Sequence, residues 1–391
     1  MSILNLGTYP PKQCGIATFS MDLRQSLLVN GEGVNIMAIS DSAYHYDYPP
    51  EVVFNLEQDA RQDYAQAASF ANSNSDIDLV VIQHEYGIFG GPDGEYVWDF
   101  ARLLRKPYVL VTHTVLPKPS RQQKLILNKL GQKAAAVICM TTRSGCLLSD
   151  LYGIANDKVH VVPHGVPEFT KNPAAILKSK FNLTGRQVIS TFGLIGPGKG
   201  LELGLRAIKD VIKDYREVCY LILGQTHPML KKSEGESYRH MLEEMVVSLG
   251  LENHVRFVNK YLTDNELGEY LYMTDIYLSP YPDKNQAVSG TMAFAVGCGR
   301  AVVSTSYAYA LETLSGGRGL LAKNPDPAEM ALLIKAILSN SSLKAELQQK
   351  AGELGGSWSW PCIGKQYRDL FLQIRSGSVR KEAKQVNYGG F

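Results

Sequence analysis

The feature that most limits what this chain can fold into is a rhythm of short apolar runs and longer stretches of helical period. It is sounded twice along 391 residues. In the first half "ILNLGTY", "VNIMAIS", "DLVVIQHE", "PYVLVTHT" and "AAVICMT" read as buried strands, each followed by a turn and a candidate helix, and "KVHVVPHGV" is a sixth strand. Runs this apolar belong to strands covered on both faces, and strand–helix succession predicts a parallel sheet. The rhythm stops in a polar stretch from about Pro167 to Thr184, rich in Pro, Asn and Lys, which reads as a linker or peripheral helix. It then resumes. "RQVISTFGLI", "EVCYLILGQ", "HVRFVNKY", "DIYLSPY" and "RAVVSTS" are strands, with helices in "GLELGLRAIKDVIKDY", "YRHMLEEMVVSLGL", "DNELGEYLYMT" and "TMAFAVGCG". The length exceeds what one hydrophobic core usually serves. Two parallel-sheet α/β domains facing each other across a cleft are therefore expected, over residues 1–170 and 171–358. An amphipathic helix around Tyr367, Leu370, Phe371 and Ile374 then fills 359–376, and a polar tail, 377–391, frays.

Composition removes several function classes. The formal charge is +2, so nothing global points to nucleic acid or an acidic membrane surface. The start, "MSILNLGTYPPKQCG", lacks a charged segment followed by a long apolar one, so no signal peptide is expected. No window reaches the roughly 18 uninterrupted apolar residues of a membrane span. The six cysteines are scattered without a CxxC pair, which argues for reduced thiols rather than disulfides or zinc. A cytoplasmic setting is expected.

Four segments carry residue types suited to chemistry, and three of them are loops between a strand and a helix. In an open α/β domain, ligands bind at the carboxyl ends of strands. In "GTYPPKQCGIATF" Gly15 lets the backbone approach a ligand, and the free N–H groups of the following helix start favour an anion; a merely tight turn satisfies the same residues. In "STFGLIGPGKGLELG" the glycines 193, 196, 198 and 200 ease unusual backbone angles, and Lys199 supplies a cation for phosphate. It is not a Walker A loop, since no G-K-[S/T] occurs. In "PYPDKNQAVSGTMAFAVGCG" the turn Ser289-Gly290-Thr291 offers N–H groups and two hydroxyls, although a small-residue helix is often only closely packed. Two such loops in one half favour a diphosphate. The fourth segment is His84 with Glu85, joined by His113, at strand ends in the first half. These can hydrogen-bond sugar hydroxyls or move protons, or simply close their strands. Asp76 and Asp78 form a D-x-D, but before its strand, so a solvated turn is expected and no metal.

In this order the segments resemble the family-four group of retaining GT-B glycosyltransferases, whose fold is two Rossmann-like parallel-sheet domains facing a cleft. "P-x-x-x-G" from Pro11 to Gly15 resembles the family's donor-phosphate loop. "VTHT" places His113 where the family keeps a histidine near the donor sugar. "VHVVPHGV" resembles "V-I-P-N-G-V", with His164 for Asn; "FGLIGPGKG" resembles "G-R-L-x-x-x-K-G"; "GCGRAVVST" resembles "A-x-G-x-P-V-V-A-T". "RFVNKYLTDNELGEYLYMTDIYLSPY" is similar to the segment around the base, and "SWSWPCIGKQY" to the closing helix that crosses back to the first domain. Two departures stand out. The family's loop arginine is Leu194 here, and its pair of glutamates aligns with Gln286 and Phe294, so no carboxylate holds the ribose at that place.

The resemblance implies transfer of a sugar, with retention and without a metal or other cofactor, from a nucleotide-sugar donor to a glycan or other hydroxyl acceptor. It places His113, Lys199 and Gln286 at the reacting centre. Gly15, Gly193, Gly198, Ser289, Gly290 and Thr291 would hold the donor, and His84 and Glu85 the acceptor. Mannose from GDP-mannose is the first candidate, by likeness to mannosyltransferases. A retaining disaccharide phosphorylase of the same fold and a non-catalytic sugar- or nucleotide-binding protein are the alternatives. Oligomeric state stays open.

Overall fold

The computed structural model describes residues 1–42 and 44–377; the expected tail lies outside them from residue 378 on. Two compact units emerge. One comprises Met1–Gly165 together with the described residues from Trp360 on, the other Val166–Ser359.

The first unit is a seven-stranded sheet made of β1 (Ser2–Gly7), β2 (Gly33–Ser40), β3 (Val52–Glu57), β4 (Leu79–His84), β5 (Tyr108–Thr112), β6 (Ala136–Cys139) and β7 (Val159–Val161). Their order is β3-β2-β1-β4-β5-β6-β7, and every pairing is parallel. β4 is buried along its whole length, as its unbroken apolar run requires. His84 is the last residue of that strand rather than the first after it.

The second unit contains β8 (Gln187–Phe192), β9 (Val218–Leu223), β10 (Val255–Val258), β11 (Ile276–Ser279), β12 (Ala301–Thr305) and β13 (Leu320–Ala322). They are ordered β10-β9-β8-β11-β12-β13 and again wholly parallel. Each sheet reverses its strand order once, between β1 and β4 and between β8 and β11. Such switch points are where open α/β sheets leave a crevice for ligands.

The division between units falls at Gly165/Val166, earlier than the expected residue 170. The reason is packing. Val166 N donates to Trp358 O at 2.7 Å, and Val166 joins the apolar core of the second unit under Gly297, where a Cβ would stand 2.4 Å from Val166 Cγ1. The polar stretch that follows includes a helix, Ala174–Lys180, anchored by Lys178 to Asp275 at 2.6 Å. The helix Trp360–Ser376 packs on the helix Gly15–Val29 of the first unit. Ser26 Oγ donates to Trp360 O, Asn30 Nδ2 to Pro361 O at 3.3 Å, and Arg368 pairs with Glu32 at 3.3 Å. No helix among the described residues is long and apolar enough to cross a membrane.

Candidate functional site

In the second unit the loops after β8 and β11 meet at the switch point. Lys199 sits on the turn Pro197–Lys199, and its ammonium donates to the phenol oxygen of Tyr281 at 2.5 Å while lying 4.6 Å from that ring's centre. Tyr281 OH and Thr291 Oγ1 are 2.9 Å apart, and Ser289 Oγ lies 3.1 Å from Thr291 Oγ1. Ser289 also caps the helix Gly290–Gly297, accepting from Met292 N at 3.3 Å. Gly193, at φ +125°, closes the group: a Cβ there would stand 3.1 Å from Thr291 Cγ2 and 3.3 Å from Lys199 Nζ. A side chain at 193 would fill the space beside the cation.

Five expected residues, Gly193, Lys199, Ser289, Gly290 and Thr291, are thus brought together. Tyr281 joins them unannounced, because nothing in the spacing of "SPYPDK" marks its phenol. Burial pushes its pKa up, but the charge and hydrogen bond of Lys199 outweigh this and hold it below the usual tyrosine value.

Two expected members make none of these contacts. Gly198 is exposed, with nothing within 4 Å of a Cβ built on it, so no protein contact calls for glycine there. Gln286 Nε2 donates to Val288 O at 2.8 Å, and its backbone oxygen accepts from Tyr309 N at 3.1 Å. Its amide ties its own loop and makes no hydrogen bond to the Lys199 group. Phe294, at the other glutamate position, packs between Phe192 at 6.1 Å and Phe169 at 5.9 Å.

In the first unit a polar chain crosses three neighbouring strands. His113 Nε2 lies 2.9 Å from Gln83 Oε1, and Gln83 Nε2 donates to Asn5 Oδ1 at 2.8 Å. With the amide oxygen facing the ring, Nε2 carries the imidazole proton and Nδ1 is left as an acceptor. Burial holds the ring neutral, its pKa lowered to about 3 with help from His164 and His84. Phe19 stands edge-on to His113 at 4.8 Å and to His164 at 5.2 Å. His113 is marked in the sequence by its place at a strand end, whereas Gln83 and Asn5 lie inside apolar runs.

The remaining residues are more structural. His84 is 1% exposed, edge-on to Tyr86 at 4.9 Å, and burial lowers its pKa to about 4. Glu85 accepts from Thr114 Oγ1 at 2.6 Å and from Tyr86 N at 2.9 Å, so its carboxylate already serves two donors of its own loop. A Cβ at Gly15 would meet nothing within 4 Å, and the helix after it is capped by Cys14 Sγ, which accepts from Ala17 N at 3.4 Å. Asp78 accepts from Ser2 N at 2.8 Å at the amino end of the sheet, a structural tie far from the strands' carboxyl ends. Among the described residues no three His, Cys, Asp or Glu side chains gather in a group able to hold a metal ion.

Comparison with known proteins places this architecture. Residues 15–168 match the Glycosyltransferase Family 4 model, and residues 186–340 match the model of Glycosyl transferases group 1. A glycosyltransferase of Methanocaldococcus jannaschii is 27% identical over 182 residues, 45% of this chain and 42% of the relative. A D-inositol 3-phosphate glycosyltransferase of Corynebacterium efficiens is 23% identical over 72% of this chain and 69% of its own length. A GDP-mannose-dependent alpha-(1-6)-phosphatidylinositol monomannoside mannosyltransferase of Mycolicibacterium smegmatis is 22% identical over 66% of each. The chain therefore spans from 42% to 69% of these relatives' lengths. Among solved structures, Anabaena HepE in complex with UDP superposes with a TM-score of 0.77 at 17% identity, over 95% of this chain and all of that one. The sucrose-phosphate synthase of Thermosynechococcus elongatus gives 0.78 at 16%, over 97% of this chain and 100% of its own. With one model on each parallel-sheet unit and the fold shared along nearly the whole length, the chain belongs to the group 1, family 4 glycosyltransferases of GT-B fold.

Proposed function

We propose that the protein transfers a sugar from a nucleotide-diphosphate sugar to a hydroxyl acceptor. The observation that carries this reading is the convergence of Lys199, Tyr281, Ser289 and Thr291 around Gly193 at the carboxyl ends of β8 and β11. A cation and two hydroxyls, fixed before the ligand arrives, suit the charge that grows on a departing diphosphate. Retention is expected by front-face attack, the leaving phosphate taking the acceptor's proton, and the charge needs no metal if Lys199 meets it. His113 offers an unprotonated Nδ1 to a sugar hydroxyl. Glu85 is the weaker acceptor contact, since its oxygens are engaged. HepE is solved with UDP and with UDP-glucose, whereas the mycobacterial relative uses GDP-mannose, so GDP-mannose and UDP-glucose are the first donors to try. Six cysteines, none in a disulfide, fit a cytoplasmic setting.

The test is turnover with a panel of UDP- and GDP-sugars, repeated on Lys199→Ala. Loss of one such charge contact lowers kcat by about 10²–10³-fold. Near wild-type turnover in the variant removes Lys199 from the role. A second reading, phosphate-dependent cleavage of a disaccharide, draws support from Phe294. This buried aromatic ring stands where the family places its ribose-binding carboxylate. Cleavage that needs inorganic phosphate and no nucleotide would favour it.

A further inference from the structure

The loop after β9 carries a histidine that the proposed function leaves unused. Beyond their ends β8 and β9 continue as a short parallel extension in which Ile195 pairs with Thr226. Ile195 N donates to Gln225 O at 2.8 Å, and His227 N donates to Ile195 O at 2.9 Å. The loops lie backbone against backbone, for a Cβ built on Gly224 would stand 2.0 Å from Gly193 O. This sets His227 beside the glycine loop that carries Lys199, near enough for the lysine's charge to bear on the imidazole.

The ring's orientation is fixed by a hydrogen bond. His227 Nδ1 accepts from Met229 N at 3.3 Å, which places the proton of the neutral ring on Nε2. His227 is half-buried, and no hydrogen bond to Nε2 is found among the described residues. The loop beneath is braced. Thr226 Oγ1 donates to Glu236, whose carboxylate pairs with Lys231 at 3.1 Å, and Arg239 Nη2 donates to Gly224 O at 2.8 Å. Arg239 Nε lies 3.5 Å from the same carboxylate, so Glu236 is paired with two cations and adds no unpaired negative charge beside Thr226.

We propose that His227 is a second ligand contact of the Lys199 site, its Nε2–H donating to a phosphoryl oxygen. This rests on the proposed phosphate-binding role of that site. A nucleoside diphosphate and inorganic phosphate offer the same oxygen chemistry, and the test separates them.

Full-length protein is titrated calorimetrically with UDP, GDP, uridine, guanosine and inorganic phosphate, as wild type, His227→Asn and His227→Gln. Asparagine keeps an oxygen where Nδ1 caps Met229 N but lacks the outer donor. Glutamine extends an amide N–H to about the place of Nε2. Phosphate-bearing ligands are expected to lose about tenfold in Kd with Asn and to recover part of it with Gln. The nucleosides should not change, nor should the thermal midpoint of the unliganded Asn variant. The ligand whose affinity falls names the source of the phosphoryl group. Unchanged affinity in His227→Asn, or an equal loss for nucleosides, overturns the role of His227 and leaves the proposed function standing. Failure of the wild type to bind any of the five overturns both.

Discussion

Tyr281 stands on Tyr307, the rings 5.2 Å apart and nearly parallel, so its phenol oxygen is held where Lys199 and Thr291 meet. Replacing it by Phe keeps the stack but leaves the ammonium without its acceptor. Tyr281→Phe should lower kcat/KM by about tenfold with a stability loss near 1 kcal/mol, read by steady-state kinetics beside urea unfolding. Unaltered kcat/KM would show that Lys199 needs no such hold. The histidines make a second prediction. Burial lowers the folded pKa of His113 to about 3 and that of His84 to about 4, below an unfolded value near 6.5. Below that unfolded value the unfolded chain binds protons that the folded chain refuses. Stability is therefore full above about pH 6.5 and falls as pH drops from there, by up to roughly 2 kcal/mol per ring at pH 5. Urea midpoints at pH 7 and 5 should separate, and less so in His113→Gln. Lys199 and His113 were legible because one sits among glycines and the other ends an apolar run. Tyr281 and Gln83 were not, because their partners meet them only in the folded chain, and His227 was not, because only the fold lays its loop against Gly193.

Among the elements, the second unit shows how one carboxylate can fasten several pieces. Asp275 accepts from Lys178 and Lys344 at 2.6 Å and from Val188 N at 2.7 Å, joining the helices Ala174–Lys180 and Ser341–Gly356 to β8. Burial pushes its pKa up, but the two lysines outweigh burial and hold it below the usual carboxylate value. Its contribution is present above the unfolded carboxyl pKa and lost as pH falls through the folded one. Asp275→Asn should cost about 2 kcal/mol in urea unfolding at pH 7, with the difference shrinking towards pH 3. A cost that persists undiminished at pH 3 would point to packing instead of charge. Eleven of the thirteen strands among the described residues were readable as apolar runs. β3 escaped because it is an edge strand whose exposure alternates, with Val53 39% exposed, and β13 because three residues carry no period. The helix Ala174–Lys180 was readable only as one of two options, since Leu177 is its sole buried side chain.

For the whole molecule, the chain's course matters more than any one contact. The first unit is discontinuous in sequence and is completed by the helix Trp360–Ser376, whereas the second runs unbroken from Val166 to Ser359. Ending the chain at Ser359 should strip the partner of the helix Gly15–Val29 and destabilise the first unit while sparing the second. Two separated transitions in calorimetry, only the first-unit one lowered, would be the sign. A uniform loss would show that the units unfold as one. Gly364 sharpens the point: a Cβ there would stand 1.8 Å from Ser26 Oγ, so any larger residue would push the two helices apart. During synthesis the ribosome must therefore release all of the second unit before the first receives its last piece. Domains generally fold in order from the amino terminus as they emerge. Here the first unit stays one helix short for some two hundred residues of translation, with the face of the helix Gly15–Val29 that packs on Trp360–Ser376 uncovered. That interval is when a chaperone has a surface to hold.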